Sequence, residues 1–143
     1  MPGPTPNHHS REVTMTDDRY EKGLAIRREM FGVEQTDRAI ADATDFTEIL
    51  QDLTTRYCFG EIWAREDELP RKTRSMLTVA MLIALGRAEE LKIHVRGALA
   101  NGVSREELRE ILLHAAIYCG LPAAVSSFRS TGEVFAQIDA QEA

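Results

Sequence analysis

Two predicted helices are apolar around nearly their whole circumference, and no other feature of the sequence constrains the fold as strongly. The first covers residues 75–86, which contain no charged side chain. The second carries apolar residues on both sides, one formed by Leu108, Ile111, Leu112 and Ala115 and the other by Leu113, Ala116 and Ile117. A domain of 143 residues can enclose one such helix in its core but cannot easily cover two. We therefore expect the excess apolar surface to be buried between subunits of a homo-oligomer.

The rest of the chain also has a helical period and no convincing strand, which predicts an all-α domain of about six helices. Asp17 or Asp18 can cap the first helix, and Asp45 can begin the second. Gly60 is expected to kink or end that second helix. The six predicted helices cover residues 17–30, 45–60, 70–86, 87–100, 104–119 and 123–138.

Two boundaries have especially clear signals. Pro70 suits the first turn of the third helix, where its missing amide proton is not needed. Ser104 and Glu107 form a capping box at the start of the fifth helix, in which the serine accepts from a free amide and the glutamate reaches back.

The residues before the first helix differ from the rest. Residues 1–16 contain three prolines and a polar run, so they predict a flexible tail, with one helical domain over residues 17–143. The chain has no leader pattern, and its longest uncharged apolar stretch is shorter than the roughly 20 residues of a membrane span. We therefore expect a cytoplasmic protein without membrane contact. A net charge of −6 and an isoelectric point near 5.2 argue against nucleic-acid binding.

Two cysteines, Cys58 and Cys119, are far apart in sequence and form no C-x-x-C or Cys/His ligand pattern. They are expected to be reduced core residues rather than a disulfide or a metal site. No metal ligand set is predicted anywhere in the chain.

The fourth helix carries the most informative polar residues. Arg87, Glu90 and His94 fall on one flank of it, beside an apolar stripe. Glu90 and His94 are four residues apart, so a hydrogen bond between them would raise the pKa of the histidine and fix its tautomer. The alternative is an exposed helix flank with a histidine whose hydrogen bonds are satisfied.

Four further residues are weaker candidates for a binding site. Arg74 precedes the apolar third helix and can grip a carboxylate through two hydrogen bonds, although a structural role is equally compatible with its position. Glu61 and Trp63 either line a cleft or close the second helix. Tyr118 lies one turn from His114, at the edge of an apolar stripe.

The sequence lacks a glycine-rich phosphate loop, a G-x-S-x-G motif and an H-E-x-x-H motif. A catalytic role must therefore depend on acid–base groups and positive charge, and no cofactor is predicted.

Several segments in order resemble the 4-carboxymuconolactone decarboxylase (γ-carboxymuconolactone decarboxylase) family. The resemblance extends from about residue 17 to the C-terminus without evident gaps. It is carried by residues 19–23 (RYEKG), 45–47 (DFT), 60–63 (GEIW), 71–82 (RKTRSMLTVAML), 86–96 (GRAEELKIHVR), 98–103 (ALANGV) and 116–124 (AIYCGLPAA).

The resemblance implies an alkylhydroperoxidase D-like fold, in which all-α subunits assemble as homotrimers or homohexamers. The redox members of that superfamily carry C-x-x-C followed by a histidine, where this chain has Arg87, Glu90 and His94. The histidine is retained but both thiols are absent, which argues against thiol peroxidase chemistry.

The implied reaction is the cofactor-independent decarboxylation of 4-carboxymuconolactone to 3-oxoadipate enol-lactone, in the protocatechuate branch of the β-ketoadipate pathway. In this hypothesis His94 donates the proton, and Glu90 orients the imidazole and keeps the imidazole charged. Arg87 and Arg74 bind carboxylate or enolate oxygens of the dianionic substrate. Glu61, Trp63 and Tyr118 are further substrate-binding candidates.

Two other functions stay open. The chain could be a non-catalytic or differently specific helical oligomer that binds a small carboxylated lactone. It could also be a thiol redox partner, for which Cys58 and Cys119 lack the necessary spacing.

Overall fold

The computed structural model describes residues 17–143, and the predicted tail, residues 1–16, lies outside the described residues. Within the described range every regular element is a helix, so the predicted all-α class is confirmed. The helices are α1 (Arg19–Phe31), α2 (Val33–Ala41), α3 (Glu48–Leu53), which continues as a π-helix (Thr54–Trp63), α4 (Arg71–Leu85), α5 (Ala88–Ala100), α6 (Arg105–Tyr118) and α7 (Leu121–Glu142).

The first half of the chain differs most from the predicted helices. Helix α2 was not predicted, and of its nine residues only Thr36 is buried. Helix α3 begins at Glu48 rather than Asp45, after a turn in which the Thr44 amide donates to the Thr47 hydroxyl at 2.9 Å. Gly60 does not end the helix, which widens into π geometry and continues to Trp63.

The boundaries of the later helices follow the sequence signals closely. The Ser104 amide donates to the Glu107 carboxylate at 2.8 Å and the Glu107 amide donates to the Ser104 hydroxyl at 3.0 Å, which confirms the capping box. Pro70 precedes the first residue of α4. Helix α7 is longer than predicted at both ends. Asp18 occupies the N-cap position of α1, but its side chain makes no capping bond.

The buried apolar residues form two clusters. The larger one joins α4, α5, α6 and α7 around side chains such as Val79, Leu91 and Leu108. The smaller one joins α1 to the π-helix and consists of Ile26, Met30, Phe59 and Trp63. The candidate site lies where these two clusters meet.

Two glycines allow α1 and the π-helix to touch along their backbones. A Cβ atom on Gly23 would lie 1.8 Å from the Thr55 carbonyl oxygen, and one on Gly60 would lie 2.0 Å from the Arg19 carbonyl oxygen. No larger residue fits at either position without separating the two helices. The approach fixes the position of every side chain on α1 relative to the π-helix.

The outer sides of the two apolar helices remain exposed in the single subunit. Met81 and Leu85 on α4 are 60% and 72% exposed, and Ile117 on α6 is 80% exposed. We expect another subunit to cover this surface, and the homo-oligomer stays a prediction.

Two further expectations concern the cysteines and membrane-spanning helices. Cys58 and Cys119 are free and exposed, so the prediction that they are core residues is wrong. Among residues 17–143, no helix is long and apolar enough to cross a bilayer.

Candidate functional site

An open cleft of about 700 Å³ crosses the outer face of α5, and we call it the His94 cleft. Helices α1 and α2 and the π-helix form one wall, and α7 forms the other. Its basic lining consists of Arg27, Lys92, His94 and Arg96, and its apolar lining includes Phe31, Phe59 and Ile93. In the part of the chain that the structure describes, no carboxylate lines the cleft.

His94 is enclosed by aromatic rings. The edge of Phe31 meets its imidazole with ring centroids 5.5 Å apart, and Trp63 stacks on it at 6.4 Å and 25°. Its Nδ1 atom is buried and has no hydrogen-bond partner within residues 17–143. Burial lowers the pKa of His94 from its ordinary value of 6.5, because the charged imidazolium loses solvation. This shift favours the neutral imidazole.

A third glycine makes room for the aromatic contact. A Cβ atom on Gly97 of α5 would lie 2.8 Å from the Phe31 ring. Gly97 is also one turn from His94, so Phe31 rests against α5 and its ring edge reaches the imidazole. The ring of Phe31 in turn meets Phe59 edge-on, with centroids 5.6 Å apart.

Arg27 lies in the same wall of the cleft and is 8% exposed. Its Nη1 atom donates to Gln51 Oε1 at 3.0 Å and to Thr55 Oγ1 at 2.8 Å. The guanidinium carbon lies 5.9 Å from the centroid of Phe59. Burial lowers the pKa of Arg27 below its ordinary value, although an arginine remains charged at neutral pH.

Lys92 and Arg96 supply positive charge on the α7 side. Lys92 Nζ pairs with Glu133 at 2.9 Å and with Glu89 at 3.4 Å, and the hydrogen bond to Glu133 is the main cause that raises its pKa. Arg96 Nη2 donates to the neutral amide oxygen of Gln137 at 2.7 Å. Because Arg27 and Arg96 have neutral hydrogen-bond partners, the lining carries more positive than negative charge, which suits an anionic ligand.

Glu90 is placed differently from the prediction. Its carboxylate accepts from Arg87 Nη2 at 2.9 Å, in a pair whose side chains are 60% and 45% exposed. Its own backbone amide, followed by Arg87, lowers the pKa of Glu90. The predicted hydrogen bond between His94 and the Glu90 carboxylate is absent, and burial lowers rather than raises the histidine pKa. The expectation that Glu90 keeps His94 charged is therefore wrong for the single subunit.

The remaining predicted residues do not converge on one pocket. Trp63 is 4% exposed and acts as a wall behind His94. Glu61 pairs with Arg19 at 3.2 Å, and Arg74 Nη2 donates to the Arg65 carbonyl at 3.4 Å. Tyr118 is 78% exposed and lies against His114. Of the seven predicted site residues, His94 alone lines the cleft.

Sequence reasoning missed Arg27, Lys92 and Arg96. Lys92 and Arg96 could have been noticed, because they flank His94 two residues away on each side of the same helix. Arg27 gives no local signal, since it looks like an ordinary charged residue on a largely polar helix. Its role as a cleft residue depends on how α1 packs against the π-helix.

Comparison with known proteins gives consistent matches. Residues 49–133 match the carboxymuconolactone decarboxylase family. A protein of Acinetobacter baylyi named 4-carboxymuconolactone decarboxylase is 41% identical over 119 residues, which cover 83% of this chain and 88% of that protein. A Metarhizium robertsii protein named nitrosuccinic acid decarboxylase is 40% identical over 108 residues, which cover 76% of this chain and 75% of that protein. The range matched to the family includes all of α5, and so His94, but neither α1 nor α2.

Proposed function

The chain belongs to the carboxymuconolactone decarboxylase family, and on that premise we propose that it is a carboxy-lyase that converts 4-carboxymuconolactone to 3-oxoadipate enol-lactone. This reaction belongs to the protocatechuate branch of the β-ketoadipate pathway. The observation that carries the proposal is a half-buried histidine, held between aromatic rings, in a cleft lined by cations and, within residues 17–143, by no carboxylate.

The substrate explains why no cofactor is needed. The departing carboxylate is attached to the γ carbon of an unsaturated lactone, and the electrons it leaves behind move through the ring double bond into the lactone carbonyl. The protein then has to bind a dianion, keep water from the departing carboxylate, stabilise the enolate oxygen and protonate the α carbon. The cationic lining supports the first task, and the aromatic side chains of Phe31 and Phe59 in the lining support the second.

We assign the proton donor role to His94. A neutral imidazole is a poor acid, but a dianion bound beside it restores the charged form, because a nearby negative charge raises the pKa of a histidine. Substrate binding would thus charge the donor just before it is needed. The stacked Trp63 ring and the edge of Phe31 hold the imidazole in place in the absence of a carboxylate partner.

The other roles suggested by the sequence remain proposals of lower weight. Arg87 and Glu90 form an ion pair outside the lining of the His94 cleft, and Arg74, Glu61 and Tyr118 also lie outside it. These residues would have to reach the substrate by a movement of the chain or from a neighbouring subunit. A homotrimer or homohexamer would also cover the exposed outer sides of α4 and α6. The cytoplasmic location is proposed from the sequence alone.

The experiment generates 4-carboxymuconolactone in place from 3-carboxymuconate with its cycloisomerase and follows the products by NMR. The proposal expects 3-oxoadipate enol-lactone to appear only when this protein is present. Persistence of the lactone in the presence of folded protein would refute the proposed substrate.

A second candidate substrate follows from the Metarhizium relative, whose name states that it decarboxylates nitrosuccinic acid. Nitrosuccinate also has two carboxylates and its own electron sink, since loss of CO₂ beside a nitro group leaves a stabilised nitronate. It makes the same demands on a cationic cleft with a proton donor. Parallel assays with both acids decide between them, because a decarboxylase specific for the lactone leaves nitrosuccinate unchanged.

A further inference from the structure

Arg27 carries a buried positive charge that the described residues do not balance. Its hydrogen-bond partners, Gln51 and Thr55, are both neutral, and no ion pair to it is formed within residues 17–143. A buried charge without a counter-charge is costly and is retained where a ligand supplies the opposite charge. The burial that lowers the pKa of Arg27 is a second sign of this cost.

The donors of Arg27 that remain free have the geometry of a carboxylate receptor. Both hydrogen bonds use Nη1, so Nε and Nη2 donate to no group in the part of the chain that the structure describes. These two nitrogens form one edge of the planar guanidinium and present parallel N–H groups to the two oxygens of a carboxylate. The anchored Nη1 limits rotation of the group, which reduces the entropy lost on binding.

Arg27 and His94 share one wall of the cleft. The guanidinium lies over Phe59, Phe59 meets Phe31 edge-on, and Phe31 meets the imidazole edge-on. An aromatic pair therefore separates a fixed cation from a neutral histidine. A small dianion can place one carboxylate at the cation and its reacting ring beside the histidine.

We propose that Arg27 is the carboxylate-recognition residue of the His94 cleft and binds, through Nε and Nη2, the carboxylate that the substrate keeps in its product. The identity of this ligand rests on the proposed function. The retained carboxylate is the better partner because a strong ion pair to the departing one would stabilise the ground state and slow the loss of CO₂. Arg27 thereby orients the substrate so that the departing group faces the aromatic wall.

The test uses a ligand that cannot react. The compound 5-oxo-2,5-dihydrofuran-2-acetate keeps the acetate arm of the substrate but lacks the departing carboxylate, and its methyl ester removes the charge. Calorimetry on the wild type should give a dissociation constant for the acid about 10- to 100-fold lower than for the ester. The substitution Arg27→Met should abolish this preference. Arg28→Met is the matched control, because the neighbouring Arg28 pairs with Asp37 and does not line the cleft.

Arg27→Lys covers the case in which the methionine variant does not fold, as judged by circular dichroism and sedimentation. Lysine keeps the charge but not the two-pronged geometry, so the preference for the acid should fall at least about threefold. A wild type without acid preference, or a preference that survives both substitutions, would overturn the assignment.

Failure of the proposed function has a different signature. If the acid preference depends on Arg27 but 4-carboxymuconolactone is not turned over, the site is correct and the proposed reaction is wrong. If the lactone is turned over and the acid preference is independent of Arg27, the proposed function stands and the role of Arg27 is wrong.

Discussion

Replacing Gly23 by alanine tests how closely the cleft depends on the contact between α1 and the π-helix. The added Cβ would lie 1.8 Å from the Thr55 carbonyl oxygen, about 1.6 Å short of the 3.4 Å at which ordinary contact begins. Both elements are held by backbone hydrogen bonds, so the clash cannot be relieved by a side-chain rotation and the helices must separate. Overpacking of this kind costs about 3 kcal/mol, which lowers the melting temperature of a chain of this size by about 10 °C.

The same separation should impair catalysis in the protein that still folds. Helix α1 carries Arg27 and Phe31, and the π-helix carries Phe59 and Trp63, so a shift between them misaligns the wall against His94. A displacement of about 1 Å in an active site can lower turnover roughly 100-fold. The assays are thermal unfolding at one fixed protein concentration and lactone decarboxylation measured well below the new melting temperature.

Gly132→Ala is the matched control, because Gly132 lies in α7 and a Cβ atom there meets no atom within 4 Å. This change should stabilise the protein by about 0.5–1 kcal/mol and leave turnover unchanged, since alanine has less conformational freedom to lose in a helix. A Gly23→Ala variant that melts within about 2 °C of the wild type and retains full activity would refute the reasoning.

Three further predictions follow from the site and the helix ends. His94→Gln should slow decarboxylation by about 10²- to 10⁴-fold in steady-state assays. The control, His114→Gln, changes an exposed position on α6 and should not slow it. Equal activity of the two variants would show that His94 is not the proton donor. Burial lowers the pKa of His94 below 6.5, and the donor must be protonated, so kcat/KM should fall as the pH rises through a value below 6.5. The turnover number kcat reports the dianion-bound enzyme and should fall at a higher pH. A pH profile of kcat/KM that is flat from pH 5 to 7 would contradict this. Ser104→Ala should lower the unfolding free energy by about 1 kcal/mol in urea denaturation, because it removes the cap of α6. The control, Ser126→Ala on the exposed side of α7, should change the unfolding free energy by less than about 0.5 kcal/mol. The reverse order would show that the capping box does not stabilise the helix.

The elements that the sequence predicts well are those whose signals are local. The capping box of α6 depends on two residues three positions apart. The apolar pattern of α4, α5 and α6 lies within the sequence of each helix. Helix α2 was not predicted, because it contributes almost nothing to the core. The π-helix was not predicted, because its wider turn accompanies close packing against α1.

The candidate site also has a part that local sequence signals predict and a part that they do not. Sequence alone selected His94, because a histidine on the border of an apolar stripe and the resemblance to a known family agree on it. The local pattern also suggested Glu90 as its partner, since residues four apart on a helix are neighbours. The structure pairs Glu90 with Arg87 instead, because both side chains extend into solvent at the exposed end of α5.

The sequence by itself therefore determined the all-α class, most helix boundaries, the family and the histidine at the centre of the site. The tertiary structure alone decided what surrounds that histidine. Phe31 and Trp63 meet His94, and Phe59 and Arg27 lie behind Phe31, because Gly23, Gly60 and Gly97 permit the helices to approach. Such contacts join residues far apart in the chain. The lowered pKa of His94 likewise comes from burial, which is a property of the packed protein and of no local segment.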